Sequence, residues 1–579
     1  MSTGTKSRPQ HSGLGLLLAD ADSHTPHLAK PLAEQTGRRH NPLQKGPLPK
    51  LLWNEGGDAG SLPQQRWGVI VPQGEEGDAL LDRIAPLIAH RRRQQDDQPI
   101  PIFRAPSKAD DVEAALWRKQ QFDSGKDTRE ALPRYQLILG NLDQVPLSIQ
   151  NVQSIDGFVG RLAFDDADGY RAYAEKVLRY ENQTARSDSG QALFFTVHDG
   201  TDATKAGYES LMAPGVAMAQ RKVMERKLMA RAIVEAGDKA TPSRDELLRA
   251  AAGADPMVLF SMSHGSGAPL RGWKSEQDQR RRQGGLLFPD GLLLGSDVAT
   301  RSFLPGGIWF LFACFGAGTP ESSSYHHWLQ ALQAQGELSG NIDYVLKALP
   351  KPGERPFIAA VPQMALRNPN GPLCVLGHVD LAWSYSFSEL DTGEQVDRPA
   401  RFVQIITDLL KGNRVGTALR SLMLALGAAN SELATIYDRI ARNPSAPVNA
   451  KLDTRRAYLW MQRHDLAGYI LLGDPAVQLP IATAQSQQSL SAPTLASSRN
   501  ASLGLAQPAP AAGESNTAQV LPSGEPRGSE RVDALERAIA QWIVDPQKLP
   551  DLAADLSMPQ AELRTLCERY RQAGRATLS

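Results

Sequence analysis

A histidine and a cysteine, fifty residues apart, each follow directly on a short apolar run. His264 comes after residues 257–263, and Cys314 comes after residues 308–313. A thiolate is a strong nucleophile, but a free thiol with a pKa of about 8.5 is mostly protonated at neutral pH. A neighbouring histidine can accept the thiol proton and later donate it to a leaving amine. The pair therefore predicts acyl transfer, with Cys314 as nucleophile and His264 as base.

Glycines stand next to both residues. Gly265 follows the histidine, and Gly316 and Gly318 follow the cysteine. The oxyanion of an acyl transfer needs backbone N–H donors at close range, and glycine lets the backbone approach a ligand. We expect the N–H groups of Gly265 and Cys314 to form this oxyanion hole. Alone, a cysteine at a strand end is typically a small core residue. The combination of both residues with the glycines favours catalysis.

The elements that must position this pair are short, wholly apolar runs, typical of strands buried on both faces. Helical patterns lie between several of them. The alternation predicts an α/β fold, a three-layer αβα sandwich around a mostly parallel sheet. Ligands bind outside the carboxyl ends of such strands, and fifty residues leave room for a crossover between neighbouring parallel strands. The runs are 67–71, 100–103, 135–139, 194–197, 257–262, 308–313, 357–361, 373–376 and 469–472.

One segment has helical spacing together with a basic face. Within 218–234, Met224 and Leu228, and likewise Met229 and Ile233, stand four residues apart. This spacing predicts an amphipathic helix over the whole segment. Further helices are predicted over 80–93, 110–121, 166–180, 402–410 and 417–441.

Composition narrows the class of protein. Lys plus Arg and Asp plus Glu each number 63, so the net charge is zero, and electrostatics gives no reason to expect a nucleic-acid or membrane partner. The three cysteines, Cys314, Cys374 and Cys567, are widely spaced, which indicates a reducing compartment without a disulfide framework. Since no apolar run approaches the roughly 18 residues of a membrane span, we expect a soluble, cytoplasmic protein.

Composition also changes along the chain. Residues 1–62 are predicted to be a flexible leader, 63–482 the main folded region and 483–528 a disordered linker rich in Ala, Ser, Gln and Pro. Residues 529–579 are predicted to form a small helical module, with Val532, Leu535, Ile539 and Ile543 at helical spacing. A module of this size predicts an interaction element that binds a regulatory or sensor protein. The alternative is a helical tail packed on the main region.

His-Gly after one apolar strand and Ala-Cys after another resemble the signature of caspase-clan cysteine peptidases. The fifty-residue separation is also the one known for caspases. The sequence 312–316 is Phe-Ala-Cys-Phe-Gly, where caspases have Gln-Ala-Cys-Arg-Gly, so it resembles more the gingipain-type and other bacterial caspase-like peptidases. The segments 156–162, 377–387 and 469–476 resemble this group too. The resemblance spans roughly residues 64–481, with the dyad in the part from about 190 to 480.

This resemblance implies a cysteine endopeptidase that cleaves protein substrates with His264, Cys314 and Gly265 and needs no metal or other cofactor. Such enzymes select the residue before the scissile bond (P1), often Asp, Arg or Lys. Asp202 is a candidate for holding a basic P1 residue, although a turn or helix cap explains it as well. Trp383 or Tyr385 is expected to wall the P1 pocket, the alternative being plain core residues.

The remaining histidines singled out by the sequence are weaker candidates for a functional role. His326 and His327 are adjacent and point in different directions, so no zinc site is expected. His378 follows a strand and Gly377 and is a minor candidate for lining the cleft.

Two functional alternatives stay open. Caspase-like peptidases of bacteria resemble components of defence pathways, where they cleave an effector protein, and here the C-terminal helices would recruit a sensor. The other alternative is a catalytically silent caspase-fold scaffold, against which the presence of both dyad residues counts.

Overall fold

The computed structural model describes residues 57–122, 132–183, 187–335, 341–351, 353–391, 394–443 and 449–482, and near the carboxyl terminus 550, 553–554, 559–561 and 563–564. The strands are β1 Trp67–Pro72, β2 Ile102–Ala105, β3 Tyr135–Leu139, β4 Phe158–Leu162, β5 Gln191–Thr196, β6 Ala232–Ala236, β7 Met257–Met262, β8 Leu286–Phe288, β9 Gly291–Leu293, β10 Ile308–Phe312, β11 Gly318–Thr319, β12 Phe357–Ile358, β13 Cys374–His378, β14 Ser388–Asp391, β15 Glu394–Asp397 and β16 Tyr469–Gly473.

The helices pack around the strands and connect most of them. They are α1 Leu62–Gln65, α2 Glu75–Arg83, α3 Ala85–Gln94, α4 Asp111–Phe122, α5 Leu147–Gln153, α6 Ala167–Glu181, α7 Asp202–Gly207, α8 Ala213–Met224, α9 Arg244–Ala250, α10 Glu276–Arg282, α11 Gly295–Val298, α12 His326–Ala334, α13 Asn341–Ala348, α14 Ala360–Arg367, α15 Ala400–Leu410, α16 Val415–Ala418, α17 Arg420–Arg442 and α18 Ala450–Ala467. A π-helical turn, Tyr208–Met212, joins α7 to α8.

Ten strands form the central sheet, in the order β2-β1-β3-β4-β16-β13-β10-β7-β5-β6. Neighbouring strands are parallel throughout, except that β13 and β16 are antiparallel. The sheet therefore has two halves that run in opposite directions. The carboxyl ends of β13, β10, β7, β5 and β6 all meet at one edge.

The middle of the sheet is buried on both faces. Every residue of β7, β10 and β13 is buried, as expected for parallel strands covered by helices on each side. Phe260 of β7 and Phe310 of β10 stack at 4.6 Å, and Phe402 of α15 lies against both. Such aromatic pairs add about 1 kcal/mol each beyond the area they bury. The predicted α/β sandwich with a mostly parallel sheet is confirmed.

One predicted helix is wrong in its second half. Helix α8 ends at Met224, and Ala232–Ala236 instead forms β6, which pairs with β5. Arg226 has a φ of 56°, outside the helical range, and the β-branched Ile233 and Val234 suit a strand. The predicted strand 357–361 is also shortened, because α14 begins at Ala360.

The predicted leader, linker and C-terminal module lie largely outside the described residues. By its contacts the chain divides into two units, 1–493 and 494–579, and the sheet belongs to the first. In the second, residues 550, 553–554, 560–561 and 563–564 are helical. Among the helices described, none has the length and apolar character to cross a membrane.

Candidate active site

The pairing of β7 with β10 sets the positions of the predicted dyad. These neighbouring parallel strands are paired up to Met262 and Phe312. The Ser263 N–H donates to the Phe312 carbonyl oxygen at 3.2 Å and extends the ladder beyond the strands. His264 and Cys314 each stand two residues past the last pair. The fold therefore brings the two predicted residues to adjacent positions at the carboxyl edge of the sheet.

The Cys314 thiol is half-buried and engages the segment that follows β13. Its Sγ accepts a hydrogen bond from the Ala382 N–H at 3.3 Å and lies 3.7 Å from the Ala382 carbonyl oxygen. Burial raises the pKa of Cys314 to about 11; the Ala382 N–H opposes the rise, and the carboxylates of Asp380 and Asp465 add to it. In this arrangement the sulfur is a neutral thiol, hydrogen-bonded to Ala382 on the β13 side.

A tight turn follows the cysteine. Phe315 has a φ of 57°, which is uncommon for a bulky aromatic residue and costs on the order of 1 kcal/mol or more. The turn is held by the Phe315 N–H, which donates to the Asp380 carbonyl oxygen at 2.9 Å, and by burial of the phenyl ring. The Ala317 N–H likewise donates to the His378 carbonyl oxygen at 2.9 Å. The loop after β13 thus fixes the backbone on which Cys314 stands.

Gly265 lies against the backbone of the cysteine. A Cβ at this position would come within 1.8 Å of the Cys314 carbonyl oxygen and 3.0 Å of its nitrogen, so only glycine fits. Gly265 also lies opposite Leu286 in an isolated antiparallel bridge. The hydrogen bonds of this bridge are donated by the flanking N–H groups of Leu287 and Ser266. The Gly265 N–H consequently faces away from β8. Within the described residues, neither this N–H nor that of Cys314 donates to another residue.

The imidazole of His264 is oriented by the loop that follows β5. Its Nε2 lies 2.9 Å from the Thr201 hydroxyl and 3.5 Å from Oδ2 of Asp199. The other oxygen of Asp199 accepts from the Thr201 N–H, the Thr201 hydroxyl and the Thr204 hydroxyl. Partial burial acts to raise the pKa of Asp199, but these hydrogen bonds outweigh it and lower the pKa. With an anionic Asp199 on the Nε2 side, a neutral imidazole would carry its proton on Nε2 and leave Nδ1 unprotonated.

Sequence reasoning did not identify Asp199 or Thr201. It selected Asp202, which is exposed and begins α7 behind the capping residue Thr201. An acidic side chain in a first helical turn interacts favourably with the helix dipole. The sequence did contain one indication of Asp199, because this residue, like His264 and Cys314, closely follows an apolar strand. A role of Asp202 with basic substrates stays a prediction.

A fully buried carboxylate holds the loop after β13. Asp465 of α18 accepts from the Trp383 N–H and the Ser386 N–H, at 2.8 Å each. His378, also fully buried, has Nε2 3.4 Å from Asp465 and Nδ1 3.0 Å from the Asp380 carbonyl oxygen. His378 therefore stabilises this loop from the protein interior, and it does not line a substrate cleft.

Next to the cysteine, Trp383 belongs to an aromatic cluster. Its ring lies 5.8 Å from Tyr325 and 5.7 Å from Trp328, and Cys314 packs against the same group. The Tyr325 hydroxyl and Trp383 Nε1 are buried without a hydrogen-bond partner in the described part of the chain. An unsatisfied buried donor costs about 1–3 kcal/mol. Tyr385, also in the cluster, packs against Tyr458 at 5.1 Å.

The adjacent His326 and His327 have rings at 85° to each other. In the ranges that the structure describes, no group of three or more His, Cys, Asp or Glu side chains could hold a metal ion.

No family model and no curated protein matches the chain. Among solved structures it is similar to the Arg-specific cysteine proteinase gingipain R, with 13% identity over 72% of this chain and 78% of that one, at a TM-score of 0.42. A structure described as a protease has 11% identity over 74% and 79%, also at 0.42.

A more distant likeness is to the separase–securin complex of Saccharomyces cerevisiae, with 10% identity over 69% of this chain and 19% of that one, at a TM-score of 0.27. These likenesses lie in the fold, and they are too distant to support a statement about the reaction. The chemistry therefore rests on the site itself.

Proposed function

We propose that the protein is a cysteine endopeptidase whose nucleophile is Cys314 and whose base is His264. The observation that carries this proposal is the β7–β10 register, which sets the two residues side by side, together with the Asp199 carboxylate behind the imidazole. A nucleophile, a base and a group that orients the base are the parts that covalent acyl transfer requires.

In the proposed reaction, Nδ1 of His264 takes the thiol proton as Sγ attacks the scissile carbonyl carbon. The N–H groups of Gly265 and Cys314 stabilise the oxyanion, and Asp199 stabilises the imidazolium. Collapse of the intermediate breaks the C–N bond while His264 protonates the leaving amine. A water molecule, deprotonated by His264, then hydrolyses the thioester and releases the Cys314 thiol. All of these steps use protein groups and water.

Before the first step the thiol must change partners. Sγ is hydrogen-bonded to the Ala382 N–H, and a substrate acyl group placed against the 382–383 backbone would compete for the same N–H. We infer that substrate binding releases Sγ to turn toward His264. Because burial raises the pKa of the thiol to about 11, we propose that its proton moves during attack and does not leave in advance to form a thiolate–imidazolium pair.

The acyl side of the site favours particular P1 residues. Trp383, which is partly exposed, offers aromatic surface, while Asp380 and Asp465 supply negative charge close enough to act on Cys314. We therefore propose a neutral or basic P1 residue. An acidic one would meet like charges in a partly desolvated site.

We also propose, from the helical spacing in 529–579, that this segment binds a regulatory or sensor protein in the cytoplasm, in a bacterial defence pathway. Deleting 529–579 should abolish the regulated response and preserve cleavage of a small peptide. Loss of both activities would contradict this division of labour.

A covalent probe tests the proposed chemistry directly. A peptidyl acyloxymethyl ketone with a P1 Lys or Asn should add one mass equivalent to the wild type and none to Cys314→Ala. His264→Ala should react at least about 100-fold more slowly, and Cys374→Ala, which removes a fully buried thiol, is the matched control. An unlabelled wild type, with all P1 types tried, would favour the catalytically silent scaffold.

A further inference from the structure

The strand order assigns the two sides of the scissile bond to different parts of the sheet edge. Along this edge the segments after β13, β10, β7, β5 and β6 follow one another. Cys314 thus stands between Ala382 on the β13 side and His264 on the β7 side. Since the histidine must reach the leaving amine, the peptide that departs has to extend past His264 toward β5 and β6.

An open cleft lies in that direction. Its volume is about 640 Å³, and it is lined by 198–200 after β5, 240–243 after β6 and 289–290 between β8 and β9. Asp199 is shared between the cleft and the dyad, because its carboxylate reaches His264 Nε2 at 3.5 Å. The cleft therefore begins directly behind the imidazole.

The walls of the cleft are built by specific contacts. Asp238 accepts from the Ala240 N–H at 2.7 Å, and Ser243 caps α9 by accepting from the Glu246 N–H at 3.3 Å. Arg244 joins the β6 side to the β8–β9 turn, through Asp290 at 3.3 Å and the Leu292 carbonyl oxygen at 3.2 Å. These ties give the cleft a defined shape before any ligand arrives.

The cleft has apolar and acidic surface. Pro242 and Pro289 contribute ring surface and no N–H groups. Asp199 and Asp290 are carboxylates, and of the neighbouring cations Lys239 lies over the Tyr208 ring while Arg244 is paired with Asp290. An acidic ligand side chain would therefore lie close to carboxylates. The lining residues include no unengaged lysine or arginine that could neutralise its charge.

We propose that this cleft binds the first residues of the substrate on the leaving-group side of the scissile bond, and that it selects apolar or basic side chains over acidic ones. The inference rests on the proposed peptidase function and adds to it a specificity site that is separate from the P1 pocket.

Two substrates with the same acyl part separate the cleft from the chemistry. One is an aminocoumarin amide that ends at the leaving group, and the other is an internally quenched peptide with three further residues. Ala240→Trp, which fills the cleft, should lower the ratio of kcat/KM for the extended over the short substrate about tenfold. Leu424→Trp, which also introduces an indole but at an exposed site on α17, should leave that ratio at the wild-type value.

A second arm tests the selectivity. In the wild type, extended peptides with Lys in the first two leaving-side positions should exceed those with Glu about tenfold in kcat/KM, and Asp290→Asn should reduce this preference. If both substrates are cleaved and Ala240→Trp leaves the kcat/KM ratio unchanged, the cleft assignment is overturned, while the proposed peptidase function is not. Cleavage of neither substrate would contradict the proposed peptidase function, and the cleft with it.

Discussion

The two sides of the His264–Cys314 pair are constructed differently. On the β13 side, Asp465 and His378 are fully buried and hold the loop carrying Ala382 and Trp383 through backbone hydrogen bonds. On the β5–β6 side, the imidazole is 37% exposed and an open cleft follows it. In the proposed reaction, the rigid side would position the acyl group, and the first product would leave from the accessible side.

The rigid side depends on buried charge. Burial raises the pKa of Asp380, against the effect of hydrogen bonds from the Ser323 hydroxyl and the Leu381 and Ser324 N–H groups. A buried carboxylate is tolerated when such donors satisfy its oxygens, and removing either partner leaves an uncompensated polar group. Changes on this side should therefore affect both folding and catalysis, whereas changes on the open side should affect catalysis alone.

The largest combined effect is expected at Asp465. In Asp465→Asn, the amide NH₂ would face one of the N–H donors that Asp465 now accepts. We expect the free energy of unfolding to fall by about 2–3 kcal/mol and kcat/KM to fall at least about 100-fold, because the 382–386 loop loses an anchor. Urea denaturation and peptide cleavage measure the two effects. Asp111→Asn, at an exposed helix start, is the control, and equal stability of both variants would contradict the account.

On the open side, Asp199→Asn should lower kcat/KM about 100-fold through loss of the anion behind His264, with little change in unfolding free energy. The matched variant is Asp202→Asn, three residues along the chain and without a contact to His264. With an uncharged P1 substrate it should retain activity within about twofold. A reversal of the two effects would show that the wrong carboxylate has been placed behind the base.

Charge on the rigid side should appear as P1 selectivity. Two substrates that differ only in P1 Asn or Asp have nearly the same shape, and we expect the Asp substrate to be at least about tenfold poorer, owing to Asp380 and Asp465. Measured kcat/KM values for the pair, at two ionic strengths, check this. A preference for Asp would mean that these carboxylates do not govern the pocket.

The pH dependence of Cys314 alkylation tests how the thiol is held. Burial favours the protonated form, so the pKa of about 11 lies above that of an ordinary thiol and the thiolate appears only as pH rises. The rate of iodoacetamide modification of the free enzyme should keep rising beyond pH 9. Cys314→Ala supplies the background from the other cysteines. A rate that is already at its plateau near pH 7 would indicate a preformed ion pair instead.

The sequence predicted that His264 and Cys314 lie together at one edge of the sheet, because both residues follow apolar strands, and it predicted the mostly parallel sheet from the same runs. It did not identify Asp199 behind His264, since that contact depends on the path of the loop between β5 and α7, where Thr201 caps the helix. Asp465 was equally hidden, because it acts on a loop about eighty residues earlier in the chain. The apolar residues within 224–233 have helical spacing, but the end of this segment pairs with β5 and forms a strand.

The central claim is that Cys314 and His264 cleave peptide bonds, and a fluorogenic panel varying only P1 tests it most directly. Wild type and Cys314→Ala would be assayed side by side over acidic, basic and neutral P1 residues, with intact folding of both confirmed by thermal melting. The account predicts cleavage after basic or neutral residues that is abolished in Cys314→Ala. Equal cleavage by both proteins, or none by the wild type with any P1 residue, would contradict it.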